Sequence, residues 1–249
     1  MEDLEPIRLN KYLSEAGFCS RREADRMIEQ GRISVDGERA LQGMRVLPSQ
    51  RIMADGKEVI REEERIILAV NKPAGIVCTS ARHSGERNIV DFVNYPKRVY
   101  PVGRLDKNSE GLILMTNQGD IVNTVLKASN YHEKEYIVTV NKPVTQEFLT
   151  AMREGVPVNG TVTRPCRVKR EGKKSFRIIL TQGLNRQIRR MCEYLGYRVE
   201  SLIRIRIMNI CLGDLPLGEY RPLTQEEIRE LYDFGKTEKG ERNEPSGSR

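Results

Sequence analysis

The sequence predicts an α+β protein with a small first domain over residues 1–65, linker included, and a larger domain with a mixed sheet over residues 66–234. Two observations lead to this prediction. Residues 1–65 have the pattern of two short helices followed by a hairpin, and the chain beyond residue 66 alternates strand-like and helix-like segments with short Gly/Pro breaks. The final segment, 235–249, contains no apolar side chain and is predicted to be a disordered tail.

Two short helices and a hairpin account for the first domain. The apolar stripes at helical spacing are Leu9, Leu13 and Ala16 in the first helix and Ala24, Met27 and Ile28 in the second. Gly17 can end the first helix and Gly31 the second. Residues 20–23 (Ser-Arg-Arg-Glu) match a capping box, in which the Ser hydroxyl and the Glu carboxylate bind free amide groups at the helix start. Residues 33–35 alternate like a strand, and Asp36-Gly37 indicates a hairpin turn.

The larger domain follows from periodicity and turn residues. The strand candidates are residues 66–70, 111–116, 135–140 and 175–180, and the helix candidates are residues 121–127, 146–154, 185–195 and 224–232. The charged stretch 61–65 (Arg-Glu-Glu-Glu-Arg) is interpreted as the linker before this domain. We find no internal repeat.

Charge is unevenly distributed along the chain. The net charge is +7, and the pI is near 9.2. Residues 1–65 carry 12 Lys and Arg against 14 Asp and Glu, whereas residues 151–200 carry 12 against 4, a net charge of +8. The excess indicates a polyanionic partner, although a solvated basic surface would have the same composition.

Several classes of protein are excluded by pattern. No apolar run approaches the ~18–20 residues of a membrane span, and the N-terminus has no basic-then-apolar signal segment. Five scattered cysteines without a C-x-x-C pair argue against a disulfide framework and a zinc site, and they favour a reducing cytoplasm. His83 and His132 are isolated, so no metal site is predicted. No Gly-rich loop indicates a nucleotide or dinucleotide cofactor.

One carboxylate is a candidate for catalysis. Residues 103–107 (Gly-Arg-Leu-Asp-Lys) hold Asp106 in a turn between two cations, just before the apolar segment 111–116. Catalytic groups are often found on loops attached to a rigid strand. The flanking cations would keep the carboxylate ionised and therefore nucleophilic. The alternative is a turn Asp that forms a surface ion pair with Arg104 or Lys107.

An aromatic residue on a predicted strand is a second candidate. Tyr136 shares one face of that strand with Val138 and Val140. Its ring could stack on a nucleic-acid base while its hydroxyl group handles a proton. The alternative is a core tyrosine with a solvated hydroxyl group.

A basic helix is predicted after the strand 175–180. Gly183 breaks the strand, and Asn185 can cap the helix. One face of the helix has Arg186, Arg189 and Arg190, and the opposite face has Ile188, Met191 and Leu195. Three neighbouring arginines repel one another unless an anion lies opposite, either a phosphate or a carboxylate such as Asp106. A solvated basic face remains the alternative.

The first domain resembles an S4 RNA-binding domain from Ile7 to about Lys57. The resemblance rests on residues 8–13 (Arg-Leu-Asn-Lys-Tyr-Leu), 20–24 (Ser-Arg-Arg-Glu-Ala) and 31–37 (Gly-Arg-Ile-Ser-Val-Asp-Gly). It implies RNA binding without indicating any particular chemistry. The start of the second helix, where free amide groups favour a phosphate, is the predicted contact. The predicted phosphate-binding residues are Arg8, Lys11, Arg21, Arg22 and Arg26.

Taken together, the segments resemble the RsuA-type ribosomal-RNA pseudouridine synthases, in which an S4 domain precedes a catalytic domain. The markers, in order, are residues 71–75 (Asn-Lys-Pro-Ala-Gly), 103–106 (Gly-Arg-Leu-Asp), 134–136 (Lys-Glu-Tyr) and 183–191 (Gly-Leu-Asn-Arg-Gln-Ile-Arg-Arg-Met). The match extends from Ile7 to about Tyr232. Residues 155–158 and 204–209 are most similar to the large-subunit rRNA pseudouridine synthase F subgroup, although Ile205 stands where a small polar residue is common.

The resemblance implies a mixed, mostly antiparallel sheet with flanking helices, and it implies roles for individual residues. Asp106 matches the nucleophile that attacks the uridine at the base or the sugar, Tyr136 the residue that stacks on the base and removes its C5 proton, and Arg189 the basic partner of the nucleophile. Arg104 matches a side chain near the flipped nucleotide, and Leu202 an apolar residue of the pocket. The other residues expected to contact RNA are Leu105, Lys107, Arg186, Gln187, Ile188 and Arg190.

The function expected from the resemblance is isomerisation of a specific uridine in structured RNA, foremost a stem-loop of large-subunit (23S) ribosomal RNA, with transfer RNA as a second candidate. No atoms are gained, so no cofactor or metal is expected, and phosphate contacts would offset the roughly few kcal/mol of base flipping. The chain is expected to be a cytoplasmic monomer. The alternative is a non-catalytic S4-type ribosome assembly factor, which the joint presence of Asp106, Tyr136 and Arg189 argues against.

Overall fold

A computed structural model describes residues 5–60, 64–79, 85–126 and 132–240. The chain divides into two compact units. The first contains Met1–Ile66 together with Tyr95–Val99 and Asn117–Gly119, and the second contains the remaining residues. The predicted linker 61–65 lies partly outside the described residues.

The first unit consists of two helices and short antiparallel strands. Its elements are β1 (Ile7–Arg8), α1 (Leu9–Glu15), α2 (Arg21–Glu29), β2 (Ile33–Val35), β3 (Glu38–Arg39), β4 (Arg45–Val46), β5 (Ile52–Ala54) and β6 (Lys57–Glu58). Four strands form a sheet in the order β3-β2-β5-β6, and β1 pairs with β4. The apolar residues predicted to line α1 and α2 pack with Ile33, Val35 and Ile52 in one core.

The helix ends of this unit show where local sequence patterns hold. Gly17 and Gly31 follow α1 and α2 with φ of 75° and 72°, as predicted. Ser20 is the N-cap of α2, and its hydroxyl group accepts a hydrogen bond from the Glu23 amide at 3.2 Å. The other half of the capping box is wrong, because the Glu23 carboxylate pairs with Arg26. An ion pair one turn along the exposed helix face takes the place of the bond back to the cap.

The second unit is built on a large mixed sheet. Its elements are β7 (Ile67–Lys72), α3 (Ile89–Val93), β8 (Tyr100–Val102), β9 (Glu110–Thr116), α4 (Gly119–Leu126), β10 (Lys134–Val140), α5 (Gln146–Glu154), β11 (Pro157–Val158), β12 (Thr161–Val162), β13 (Arg167–Gly172), β14 (Ser175–Leu180), α6 (Gln187–Tyr194), β15 (Val199–Ile207), β16 (Ile210–Cys211), β17 (Tyr220–Pro222) and α7 (Gln225–Gly240). The sheet order is β13-β14-β10-β15-β9-β7-β17, with β16 beside β15 and β8 beside β9.

Pairing is antiparallel between the described strands of this sheet except where β15 runs parallel to β9. The predicted mixed, mostly antiparallel sheet is therefore confirmed. Gly111 lies at the parallel junction with φ of 99°, and a Cβ atom there would be 2.3 Å from the carbonyl oxygen of Arg204. Only glycine allows β9 and β15 to approach so closely. This approach brings the loop before β9 next to the middle of β15.

Helices cover the sheet through apolar clusters. Phe148 and Met152 of α5 pack with Ile188 and Met191 of α6 and with Val138 of β10. A second cluster contains Leu112 and Leu114 of β9, Ile121 and Val125 of α4 and Leu231 of α7. Burying each of these side chains contributes about 1.5–3 kcal/mol. The strands that position the functional residues are thereby held in a rigid frame.

The ends of two helices differ from the predictions. The helix predicted over 185–195 begins at Gln187, because Arg186 adopts the left-handed conformation with φ of 52°. Asn185 therefore does not cap it. The tail was expected to begin at residue 235, but α7 extends to Gly240. Residues 241–249 lie outside the described part of the chain.

Candidate active site

A cavity of about 790 Å³ opens in the second unit. Its walls come from the β8–β9 loop, strand β10, the β14–α6 loop with the start of α6, and strand β15, together with residues 77–79 and Glu86 between β7 and α3, Val125 of α4 and His132 before β10. The lining residues that the sequence had singled out are Arg104, Leu105, Asp106, Lys107, Tyr136, Arg186, Gln187, Ile188, Arg189 and Leu202. Segments up to about a hundred residues apart in sequence therefore meet at one site.

Asp106 and Arg189 form an ion pair on the wall of this cavity. The Nε atom of Arg189 is 3.9 Å from a carboxylate oxygen of Asp106, and the Asp side chain is 31% exposed against 11% for Arg189. Nε makes no hydrogen bond to any of the described residues. The Asp106 carboxylate is therefore partly accessible to a ligand, whereas its positive partner Arg189 is less exposed.

Three hydrogen-bond acceptors, two of them close to Asp106 in the sequence, hold the Arg189 side chain in place. Its guanidinium group donates to the carbonyl of Asn108 at 2.9 Å, to the Ser109 hydroxyl group at 3.3 Å and to the carbonyl of Val199 at 3.4 Å. Burial lowers the pKa of Arg189 and the nearby Arg186 charge lowers it further, while Asp106 opposes both effects. Arginine nevertheless stays protonated at physiological pH. The result is a fixed positive charge beside Asp106.

A buried lysine also binds the backbone of the loop that contains Asp106. Lys72 ends β7 with its side chain fully buried. Its ammonium group donates to the carbonyls of Pro73 at 2.8 Å, Ile76 at 3.0 Å and Lys107 at 3.3 Å. Burial lowers the pKa of Lys72. Three carbonyl acceptors offset the cost of a buried ammonium group, and the third of them fixes the turn that carries Asp106.

Tyr136 reaches the cavity from β10. It packs against the core that contains Val138 and Val140, which confirms the predicted shared face. Tyr136 pairs with Arg204 of β15, and the preceding residue Glu135 pairs with Arg206. A β-bulge at Ile205 accounts for this shift: Arg204 stays on the face of Leu202 and lines the cavity, whereas Arg206 does not line it.

Comparison with known proteins identifies the family. A model of RNA pseudouridylate synthases matches residues 66–194, and a model of the S4 domain matches residues 7–52. The chain belongs to the RNA pseudouridine synthase family. It has the S4-plus-catalytic organisation of the RsuA type, as the motif order predicted.

Relatives of the synthase agree with this assignment. It is 56% identical over 229 residues to the dual-specificity RNA pseudouridine synthase RluF of Escherichia coli strain K12, a match that covers 91% of this chain and 78% of that protein. It is 34% identical to the ribosomal large subunit pseudouridine synthase B of Bacillus subtilis, over 92% and 98% of the two chains. A crystal structure of a pseudouridylate synthase superposes with a TM-score of 0.67 at 29% identity, over 90% and 99% of the chains. The predicted likeness to the synthase F subgroup is confirmed.

The structure shows the partners of three residues of the site and corrects one prediction, the shared helix face of the arginines. Lys107 pairs with Glu86 at 3.0 Å, so Asp106 is paired with Arg189 from α6 rather than with its chain neighbour. Arg186, Arg189 and Arg190 do not share a helix face, because Arg186 lies before the helix in the left-handed conformation. Arg190 donates to the Asn185 side chain at 3.0 Å and is not among the residues that line the cavity.

The remaining predicted RNA contacts fall into two groups. Gln187 and Ile188 line the cavity but are buried, and the Gln187 side chain accepts a hydrogen bond from the Leu184 amide at 3.0 Å, which supports the loop before α6. In the first unit, Arg8, Arg21 and Arg22 are exposed. Lys11 is near Glu15 at 3.6 Å, which partly balances its charge.

Four cavity or loop residues were not assigned a role by sequence reasoning: Lys72, Cys78, Lys134 and Arg204. Cys78 is buried and accepts a hydrogen bond from the Leu105 amide at 3.3 Å, next to Asp106. Lys72 and Lys134 belong to motifs that carry the family resemblance, but the sequence does not show that Lys72 also binds the carbonyl of Lys107, 35 residues away. Among the described residues no group of three His, Cys, Asp or Glu side chains could hold a metal ion. No helix of the described chain is long and apolar enough to cross a membrane.

Proposed function

We propose that this synthase isomerises a specific uridine of structured RNA, with Asp106 as the nucleophile on a flipped-out nucleotide. The observation that carries the proposal is the Asp106–Arg189 ion pair, which borders a cavity that Tyr136 also lines. In a duplex the stacked neighbours cover the faces of the base, and the enzyme cannot reach the atoms that must react, so the nucleotide has to leave its stack. The cavity provides the space for it.

The proposed reaction begins at the glycosidic bond. A carboxylate oxygen of Asp106 bonds to C1′ of the ribose as the C1′–N1 bond breaks, and the electron pair stays on the uracil. The uracil then turns, C5 bonds to C1′, and Asp106 leaves. Tyr136 stacks on the base and removes the C5 proton while N1 takes up a proton, so the product has the same atoms as the substrate. Each step uses a side chain that lines the cavity.

Arg189 is proposed to keep Asp106 ionised and oriented. Its three hydrogen bonds to fixed acceptors leave it little freedom to move when the carboxylate reacts. A preorganised charge of this kind stabilises a reacting group without reorganisation at the moment of reaction. Leu202 is proposed to give an apolar surface for the base, and exposed Arg104 to occupy the space that the flipped nucleotide leaves in its stack.

For the substrate, we propose a stem-loop of large-subunit ribosomal RNA, bound by a monomeric enzyme. Support comes from the relatives, of which one is named a large-subunit synthase and another a dual-specificity RNA synthase. The second name keeps transfer RNA as a further candidate substrate. The basic segment 151–200 would supply phosphate contacts, and the S4 domain would hold a neighbouring helix or loop by its shape.

The test is pseudouridine formation by the purified full-length enzyme on unmodified ribosomal and transfer RNA made by transcription. We expect product at one or a few positions with the wild type. Asp106→Asn keeps the size of the side chain but removes its charge, and we expect it to form no detectable product while RNA affinity stays within about tenfold. Product formation by Asp106→Asn at the wild-type rate would contradict the nucleophile assignment. Product in transfer RNA alone would contradict the ribosomal substrate and leave the chemistry intact.

A further inference from the structure

Two cations on adjacent strands of the sheet, Lys134 of β10 and Arg204 of β15, line the cavity, and neither has a carboxylate partner among the described residues. Lys134 is the first residue of β10, and its ammonium group donates to the carbonyl of His132 at 3.3 Å. This long hydrogen bond is the one that the ammonium group makes to the described residues. An ammonium group has three N–H donors. Within the described part of the chain, donors on Lys134 are thus left for a ligand in the cavity that it lines.

Arg204 lies on β15, the strand next to β10, where it pairs with Tyr136, and it is 3% exposed. Its Nε atom donates to the carbonyl of Leu112 at 2.7 Å, which fixes the plane of the guanidinium group. Its Nη2 atom is buried and makes no hydrogen bond to any described residue. A buried guanidinium N–H without an acceptor costs free energy unless a ligand satisfies it. Arg204 follows Leu202 by two residues on β15, and both side chains line the cavity.

We infer that Lys134 and Arg204 form the part of the cavity that holds the uracil as an anion after it leaves the ribose. The inference rests on the proposed function, since it needs a detached uracil in this cavity. When C1′–N1 breaks, the electron pair spreads over N1, C5 and the two carbonyl oxygens of the base. Lys134 and Arg204 would donate hydrogen bonds to these oxygens and keep the base bound while it turns.

Position and charge both favour the base over a backbone phosphate as the ligand. Both cations are in the sheet beside Tyr136, the residue proposed to stack on the base, and Arg204 is too buried for contact with a phosphate chain at the surface. The uracil is neutral before the bond breaks and charged afterwards. Fixed donors that bind the charged form more tightly lower the barrier to that step.

The protonation state of Lys134 gives a test of this inference, because it should affect the reaction rate in a measurable pH range. Burial lowers the pKa of Lys134 to about 8, and the positive charge of Arg204 adds to the effect. The other titratable or charged groups that face the cavity include Cys78, Glu86, Asp106, His132, Tyr136 and Arg189. If the ammonium form is the one that works, the rate falls as pH rises through about 8. An arginine at the same position stays charged, so the fall should move to higher pH.

The experiment measures the single-turnover rate constant and RNA affinity of the full-length enzyme, on an RNA in which the wild type forms pseudouridine, from below to above pH 8. For Lys134→Met and Arg204→Met we expect a rate about 100-fold lower with RNA affinity within about threefold. Lys134→Arg should recover most of the rate, with its decline shifted to higher pH. Lys142→Met, which removes an exposed lysine outside the cavity, should keep the wild-type rate.

Two results would overturn the inference. The first is a Lys134→Met rate within about threefold of the wild type, and the second is a loss of RNA affinity as large as the loss of rate, which would indicate a phosphate contact. Because Arg204 is buried, its replacement could unfold the protein, so circular dichroism is recorded for each variant. If Arg204→Met is unfolded, the Lys134 variants alone test the inference. Absence of product from the wild type would instead contradict the proposed function. An active wild type together with an inactive Asp106→Asn variant would support the proposed function, regardless of the rates of the Lys134 variants.

Discussion

At the scale of single residues, the environment of Asp106 explains how a carboxylate in a turn becomes a reactive group. Its chain neighbours do not pair with it in the described structure; the cation beside it comes from α6, about eighty residues later. Lys72 and Arg189 both bind backbone carbonyls of the turn that contains Asp106. The position of the carboxylate is therefore set by a buried lysine and a partly buried arginine and not by its local turn alone.

The proposed role of Tyr136 gives a prediction for its hydroxyl group. Tyr136→Phe keeps the ring and the packing against Val138 but removes the oxygen that would accept the C5 proton. We expect unchanged RNA affinity and a product-forming rate at least about 100-fold lower, which is the usual scale of general acid–base catalysis. Single-turnover kinetics with RNA titration would separate the two effects. Full activity of the variant would restrict Tyr136 to stacking.

At the scale of elements, β10 and its neighbours have two different faces. Lys134 and Tyr136 line the cavity, whereas Glu135 binds Arg177 of β14 at 2.8 Å and Arg206 of β15 at 2.7 Å. Arg206 also binds Glu133 at 2.9 Å. These ion pairs join three adjacent strands on the face away from the cavity. We interpret them as the brace that keeps the strands carrying Tyr136 and Arg204 in register.

The brace predicts a pH-dependent contribution of Glu135 to stability. Burial acts to raise the pKa of Glu135, but the hydrogen bonds from Arg177 and Arg206 outweigh it, and the pKa is lowered. A lowered pKa means stabilisation that is present above the unfolded-state value of about 4.3 and lost as pH falls through the folded-state value. Glu135→Gln should therefore cost about 2 kcal/mol at neutral pH, and the difference from the wild type should shrink in acid. Urea unfolding at several pH values would check this, and a difference that stays constant down to acid pH would refute it.

At the scale of the whole molecule, positive charge is concentrated in the second unit, yet the first unit has exposed arginines at the start of α2. The free amide groups at the N-terminus of α2 add to these charges. RNA binding would then draw on both units. Because phosphate contacts release counterions, the salt dependence of affinity reports how many of them each unit makes.

This gives a prediction for Arg21 and Arg22. Replacing both with glutamine in the full-length enzyme should weaken RNA binding and reduce the slope of log affinity against log salt by about 1.4–1.8, the value for two lost phosphate contacts. The single-turnover rate at saturating RNA should not change. Arg51→Gln, an exposed arginine near Glu58, is the control and should leave the slope unchanged. An unchanged slope in the double variant would mean that α2 does not contact phosphate.

The sequence by itself determined the fold class, most of the described helices, the strands β7, β9, β10 and β14 and most segments of the site, but it did not predict β15 as a strand. Those features depend on periodicity, caps and turn residues over short stretches of chain, as at Gly17, Gly31 and Ser20. The four ordered motifs were enough for the family, because their order along the chain is itself a sequence property. The roles of Asp106, Tyr136 and Arg189 remain predictions that the proposed variants test.

The tertiary structure alone decided which charges meet. A strict two-residue period puts Leu202, Arg204 and Arg206 on one face of β15, but the bulge at Ile205 leaves only Leu202 and Arg204 of these three at the cavity and turns Arg206 toward Glu135. The left-handed conformation of Arg186 likewise removes it from the predicted helix face. The partners of Asp106 and Lys107 are similarly remote in sequence. Such features arise from pairing between segments far apart in the chain, and no local pattern of residues encodes them.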